Sequence, residues 1–280
     1  MSASAERVSI HGGHSGEFCG HAEDTLADIV AAYCAKGYTW VGITEHMPPV
    51  NDHYRYAEER AAGLDAGQLM ERFAYYVDAA RQLQRAHADE LTLFVAMEFE
   101  AHPGSIDLAK TLLAEHDLDY VVGSIHHVDT VPIDTSQADY ARAAAAAGGI
   151  TPLYCRYFDA QYEMLTTLTP AAVGHFDRIR TFDDGYPDRI VQPEVWQRVV
   201  RNLKYIRDRD LILDINLRAL LHGDADPYPC RPILRQVAEM GIKVAPGDDS
   251  HGVASVGACW EAGMAALEAA GVPLVWARPV

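Results

Sequence analysis

The sequence predicts an α/β fold in which seven parallel strands alternate with helices and close, or nearly close, into a barrel. Three observations predict it. Short β-branched or apolar runs recur seven times, each followed by a polar turn and then a helical pattern. The 280 residues are enough for one such domain with a large core, and no repeat, low-complexity tract or linker divides them, so residues 1–280 are expected to form a single domain. Each run is also followed by side chains of one chemical kind, imidazole or carboxylate. An open doubly wound sheet shows the same alternation, so the pattern leaves both arrangements open.

In chain order, the expected strands are Arg7–Ile10, Thr39–Ile43, Leu93–Met97, Tyr120–Ser124, Ala172–Gly174, Leu211–Ile215 and Ile242–Ala245. Between them lie amphipathic stretches. Thr25–Ala35 follows a cap at Asp24/Thr25 and ends before Gly37, as helix start and stop signals require. Leu64–Arg85, Ile106–Ala114, Leu153–Leu168, Pro193–Arg209, Arg231–Met240 and Val256–Ala270 complete the set. Parallel strands joined by helices take right-handed crossovers.

Composition narrows the function. A formal net charge of −17 disfavours nucleic acid, whose binding needs a basic surface. A small phosphorylated substrate remains compatible, because bound divalent cations invert the field locally. No apolar run approaches the roughly 18 to 20 residues of a membrane span. The start of the chain lacks the basic and apolar regions of a secretory signal, so a cytoplasmic protein is expected. Five scattered cysteines, none in a C-x-x-C pair, argue against a disulfide framework or a zinc ribbon.

The strand ends carry the chemistry. The first is followed by His11, His14 and His21, the second by Glu45 and His46, the third by Glu98 and Glu100, and the fourth by His126 and His127. The fifth ends in His175 and Asp177, the sixth in Asp214 and Asn216, and the seventh in Asp248, Asp249 and His251. In a β/α barrel these ends converge on one face. Imidazole and carboxylate suit zinc, iron and manganese. A single histidine is usually exposed or simply hydrogen-bonded, and His53, His87, His102, His116 and His222 are read that way. Chance does not place histidine at five of seven strand ends. His127 is set aside because it would point away from its neighbour His126.

Taken together, the segments HGGHSGEFCGH (11–21), ITEHMP (43–48), EFEAHPG (98–104), DYVVGSIH (119–126), VGHFD (173–177), LDIN (213–216) and GDDSHGVASVG (247–257) resemble the polymerase-and-histidinol-phosphatase (PHP) superfamily. Within it they resemble the monofunctional histidinol-phosphate phosphatases, in order and over nearly the whole chain. The resemblance implies a distorted parallel (β/α)7 TIM-like barrel holding three divalent metal ions. By position, His11, His14, Glu98 and Asp249 would hold one ion. Glu98 would bridge to a second ion, also held by His126 and His175, and His21, His46 and His251 would hold the third. Glu98, Asp249 and His251 are the members to which it gives a catalytic role.

The implied reaction is hydrolysis of a phosphate monoester, histidinol phosphate above all, whose cationic groups suit an acidic protein. Metal ions can lower the pKa of a bound water toward ~7 and clamp phosphoryl oxygens. No G-x-S-x-G elbow is present, and Cys19 reads as a buried neighbour of His21 rather than a nucleophile. Arg178, Arg180 and Arg218 follow the fifth and sixth strands and are the candidate phosphate ligands. Residues 47–64 form either a cover over the site or an ordinary loop. The competing readings are another phosphoesterase of the superfamily acting on a different small phosphorylated substrate, a metal-dependent amidohydrolase, and a non-catalytic metal-binding protein. An amidohydrolase would normally place a lysine at a strand end, and none is there.

One motif departs from the family pattern, which usually has His-x-His where this chain has His11-Gly12-Gly13-His14. Along a strand, residues i and i+3 face opposite ways. The glycine pair is therefore expected to form a β-bulge that lets both histidines reach one ion.

Overall fold

The structure, a computed structural model, describes residues 5–280. Its strands are β1 (Val8–Ser9), β2 (Trp40–Ile43), β3 (Thr92–Glu100), β4 (Tyr120–Ser124), β5 (His127–Val128), β6 (Val131–Pro132), β7 (Ala172–Val173), β8 (Ile212–Asn216) and β9 (Val244–Gly247). Seven of them form one parallel sheet in the order β1-β2-β3-β4-β7-β8-β9. Its two edges meet. Ile10 N donates to Pro246 O at 2.8 Å, and beyond the strands Asp249 N donates to His11 O at 2.8 Å and His14 N to Ser250 O at 2.7 Å. These bonds make the sheet a nearly closed, distorted (β/α)7 barrel and exclude the open doubly wound alternative.

All seven expected strands are present. The third runs further than the pattern indicated, so Glu98 and Glu100 lie inside it, at its C-terminal end. Inside the barrel, Ile10, Trp40, Phe94, Tyr120, Val122 and Ile212 fill the space below the strand ends as one apolar cluster. A larger cluster lies between the sheet and the helices around it. Large side chains block the axis, so the open ground lies at the C-terminal ends, as in β/α barrels generally.

The helices match the amphipathic stretches with informative differences. Leu26–Ala35 is capped by Thr25, whose side chain accepts from Asp28 N. The expected Leu64–Arg85 helix is one helix, Ala66–Ala86, whose start is set by a capping box between Asp65 and Gln68, and a separate short helix, Ala57–Ala61, precedes it in the segment expected to be a loop. Gln137–Ala147 went unread, since its buried stripe is alanine and Tyr140 and shows almost no large apolar period. The last helix begins at Trp260 rather than Val256, after positive φ at Gly257 and Cys259. The β5–β6 hairpin also went unread. Its two-residue turn, Asp129-Thr130, has positive φ at both positions without the glycine or asparagine that normally signals it. No helix of the described residues is long and apolar enough to cross a membrane.

Candidate metal centre

Glu98 is the hub. Its carboxylate is 1% exposed and lies 2.8 Å from His175 Nε2, 3.0 Å from His126 Nε2, 3.1 Å from His46 Nδ1, 3.4 Å from His11 Nε2 and 3.7 Å from His14 Nε2. Five strand ends or the loops after them deliver these groups, which is the convergence that the sequence implied. Burial pushes the Glu98 carboxyl up, but His11, His126 and His46 outweigh it and hold it well below the usual carboxylate range. Asp249 joins from beyond β9, with Oδ1 3.5 Å from His14 Nε2, and His11, His14 and Asp249 form one compact group of donors. The groups His11/Glu98/His175 and His14/His46/Glu98 share members with it. A third group, His21, His46 and His251, lies alongside and includes Cys19.

The centre fits divalent cations on an observation of its own. His11 Nε2, both ring nitrogens of His14 and of His46, and His175 Nδ1 are buried without a hydrogen-bond partner. Buried polar atoms left unpaired are costly, typically about 1–3 kcal/mol each. A cluster of such imidazoles around two carboxylates is what metal ligation resolves, since a neutral ring nitrogen offers a lone pair.

Acidic groups behind the rings set which nitrogen faces inward. His11 Nδ1 pairs with Asp214 Oδ2 at 3.1 Å, His126 Nδ1 with Asp134 Oδ2 at 2.8 Å, and His21 Nδ1 with Glu58 Oε1 at 2.7 Å. With Nδ1–H donating to the acid, Nε2 is left free as a ligand, the arrangement common behind metal-bound histidines. His251 Nδ1 is 3.0 Å from Asp249 O and 2.6 Å from Arg218 Nη1. One tautomer cannot satisfy both, and donation to the carbonyl is the one that frees Nε2. Burial lowers the pKa of His126, yet Asp134 and Glu98 raise it to about 10, so this ring is protonated at neutral pH while no metal is bound. Burial, reinforced by His251 and His46, pushes His14 well below its ordinary value.

Asp134 and Glu58 were not among the sequence candidates. Asp134 lies eight residues past His126 on the far side of the unread hairpin, and Glu58 sits in a helix of the 47–64 segment. No spacing rule links either to its partner. The segment itself covers the third group. Tyr56 packs 5.3 Å from His21 and 5.6 Å from His46, ring to ring, and its hydroxyl donates to Glu100.

The glycine pair works differently from the expected bulge. β1 ends at Ser9, so His11 and His14 lie in irregular chain and strand alternation no longer constrains them. Neither glycine has a positive φ. They are needed for close approach: a Cβ on Gly12 would stand 2.2 Å from Gly42 O, and one on Gly13 would stand 2.5 Å from Ile29 Cγ2. Compact packing of this turn against β2 and the first helix brings both histidines beside Asp249.

The three arginines separate. Arg178 Nε pairs with Asp134 Oδ2 at 2.9 Å, beside His126, and Arg218 reaches Asp249 O and His251. Arg180 is 3% exposed and lies over the Tyr228 ring. It bonds Asp224, Asp226 O and Pro227 O, and faces Asp177 at 3.4 Å. The structure thus engages Arg180 in fastening the 224–228 loop, whereas Arg178 and Arg218 pair with groups that adjoin the imidazoles. Asp177 and Asp248 are likewise structural. Asp177 accepts from Cys230 N, while Asp248 accepts from Ser9, Tyr33 and Gly257 N. His127 packs near Tyr54 and His102, outside the cluster.

A β/α barrel whose strand ends gather imidazoles around one shared, buried carboxylate defines a divalent-metal centre of the hydrolytic kind. The chain belongs to the PHP domain family, which it matches over residues 12–218. It is 33% identical to the "Probable histidinol-phosphatase" of Schizosaccharomyces pombe, over 95% of this chain and 87% of that one. It is 29% identical to the histidinol-phosphatase of Saccharomyces cerevisiae, over 90% and 85%. A solved histidinol phosphate phosphatase of Lactococcus lactis subsp. lactis, complexed with zinc, L-histidinol and phosphate, shares the fold with a TM-score of 0.71 and 16% identity, covering 96% of this chain and 95% of that one.

Proposed function

We propose that the protein hydrolyses histidinol phosphate to histidinol and phosphate at a centre of three divalent ions. The observation that carries this reading is the convergence of five imidazoles on Glu98, with buried ring nitrogens that nothing else partners. The names of the yeast relatives supply the substrate, and the zinc of the Lactococcus structure makes zinc the first metal to try, ahead of iron and manganese.

Each group has a task in this reading. His11, His14, Glu98 and Asp249 would hold one ion, Glu98 with His126 and His175 would hold a second, and His21, His46 and His251 would hold the third. Bound there, divalent ions would supply an ionised water at neutral pH and neutralise charge on the phosphoryl oxygens. Arg178 and Arg218 border the cluster from two sides and orient the phosphate. Asp134 and Asp214 keep their histidines aimed inward. Tyr56 and the helix beside it limit water access over the third group. A reducing cytoplasmic setting agrees with five cysteines that are all free.

The test is phosphate release from histidinol phosphate, set beside nucleotides and sugar phosphates, on protein of measured metal content. Preference for histidinol phosphate supports the reading. Equal or better turnover of another ester gives the site to a different phosphoesterase of the family, and no turnover by metal-loaded protein leaves the non-catalytic metal-binding reading.

A further inference from the structure

Three imidazoles alone make an open site, because zinc held by three protein ligands keeps its remaining position for water or substrate. The third group holds more than three donors. Cys19 is 4% exposed, and its sulfur lies with the ring nitrogens of His21, His46 and His251 in one set, every member within 4.8 Å of every other. The local chain puts it there: Cys19 N donates to Ser15 O at 2.8 Å and Ala22 N to Cys19 O at 3.3 Å, two consecutive turns that aim Cys19 and His21 at the same point. Around that point the rings are already arrayed. His21 and His251 stack at 5.0 Å and 23°, His46 lies 5.3 Å from His21, and both nitrogens of His46 lack a hydrogen-bond partner.

We propose that Cys19 is a thiolate ligand of the third ion, so that this position is a four-donor Cys/His3 site, different in kind from the two that share Glu98. The inference rests on the metal-dependent reading above and extends it. Thiolate is soft and selects zinc or cobalt over manganese and magnesium, whereas the carboxylate-rich positions around Glu98 discriminate less. Four protein donors also hold an ion more firmly than three. The site therefore keeps its ion longest during dialysis, and it pins the turn carrying His14 against the ends of β2 and β9.

Cobalt(II) tests this, because thiolate ligation adds a near-ultraviolet charge-transfer absorption that imidazole and carboxylate do not give. A second cysteine group, Cys34/His87/Glu90, lies apart from the centre and is the control. Wild type, Cys19→Ser and Cys34→Ser are loaded with cobalt, and the bound ions are counted alongside the spectra. Absorption in wild type and in Cys34→Ser, absent in Cys19→Ser together with the loss of one ion per chain on dialysis, supports the proposal. Wild type that binds its cobalt without this absorption overturns it and leaves the metal-dependent reading intact, with no variant required. Absorption lost in Cys34→Ser but kept in Cys19→Ser also overturns it. Wild type that binds no cobalt, zinc or manganese overturns the functional reading itself.

Discussion

Replacing Glu98 by glutamine changes one atom and removes one charge from the point on which five imidazoles converge. At an effective dielectric constant of about 20, unit charges about 3 Å apart interact by roughly 5 kcal/mol. The Glu98 oxygens have partners at 2.8, 3.0 and 3.1 Å. An amide keeps part of this through its dipole but cannot share two cations as a carboxylate can. Breaking one buried charged contact commonly costs about 3–5 kcal/mol, and at about 1.4 kcal/mol per decade that is roughly a 10²- to 10⁴-fold loss of metal affinity. Glu98→Gln should therefore lose at least one ion on dialysis, measured by elemental analysis, and most of its phosphate release. Glu100→Gln acts through His46 Nδ1, 3.0 Å away, and through Tyr56, so it should lose about 10- to 100-fold in affinity, the usual effect of an outer partner. If Glu98→Gln kept its full metal content and a rate within threefold of wild type, the hub assignment would be wrong; equal losses in the two variants would mean that the two glutamates share the role.

Chelation should abolish turnover, and loading the metal-free protein should release protons at pH 7, because His126, raised to about 10, must give up its proton to ligate. The sign follows from the shift: the imidazolium stabilises the metal-free fold fully below about 6.5 and stops doing so as pH rises through about 10, so metal affinity climbs over that range. Calorimetry in buffers of different ionisation enthalpy reads the release, and a buffer-independent heat would contradict it. Gly13→Val should damage the centre without removing a ligand, through collision with Ile29, while His11→Ala and His14→Ala should each lose the same ion; a full metal complement in His14→Ala would reduce His14 to a bystander. Arg178→Ala and Arg218→Ala should raise KM for the phosphate ester with little change in melting temperature. Arg180→Ala should do the opposite, losing about 3–5 kcal/mol of stability because Asp177 stays buried without its counter-charge, and a KM effect alone in that variant would restore Arg180 to the phosphate.

What the sequence showed and what it hid divide along a physical line. Strand ends are legible because the parallel strands are apolar on both faces and give way to histidine and carboxylate, which marks His46, His126, His175 and Asp249 from the sequence, and Glu98 as well, although β3 continues past it to Glu100. Barrel closure was not legible from pattern, since it depends on bonds such as Ile10 to Pro246 between chain segments more than two hundred residues apart. The outer acids were hidden for a related reason. Asp134 arrives on a hairpin whose turn lacks the usual residues, and Glu58 on a helix of five residues, too short to show a period. The role of the glycine pair is not legible in the sequence, which offers φ freedom as the general use of glycine, whereas Gly12 and Gly13 answer a steric need that appears only once Gly42 and Ile29 are in place.

The acidity of the chain takes on a definite meaning at this centre. A site for a phosphate ester in a protein of net charge −17 looks paradoxical if charge is counted over the whole molecule. Counted at the site, the carboxylates are committed: Glu98 and Asp249 face the imidazoles, while Asp134, Asp214 and Glu58 each pair with the Nδ1 of one ring. They therefore raise the affinity of the centre for cations and contribute little free negative charge toward a substrate. Asp134 also pairs with Arg178, so one carboxylate holds both the His126 ring and a guanidinium beside it; in the proposed reaction the first would face a metal ion and the second the phosphate. Under the proposed function a single side chain would help to position both the cation and the anion it attracts, and an acidic barrel can present a local field of the opposite sign.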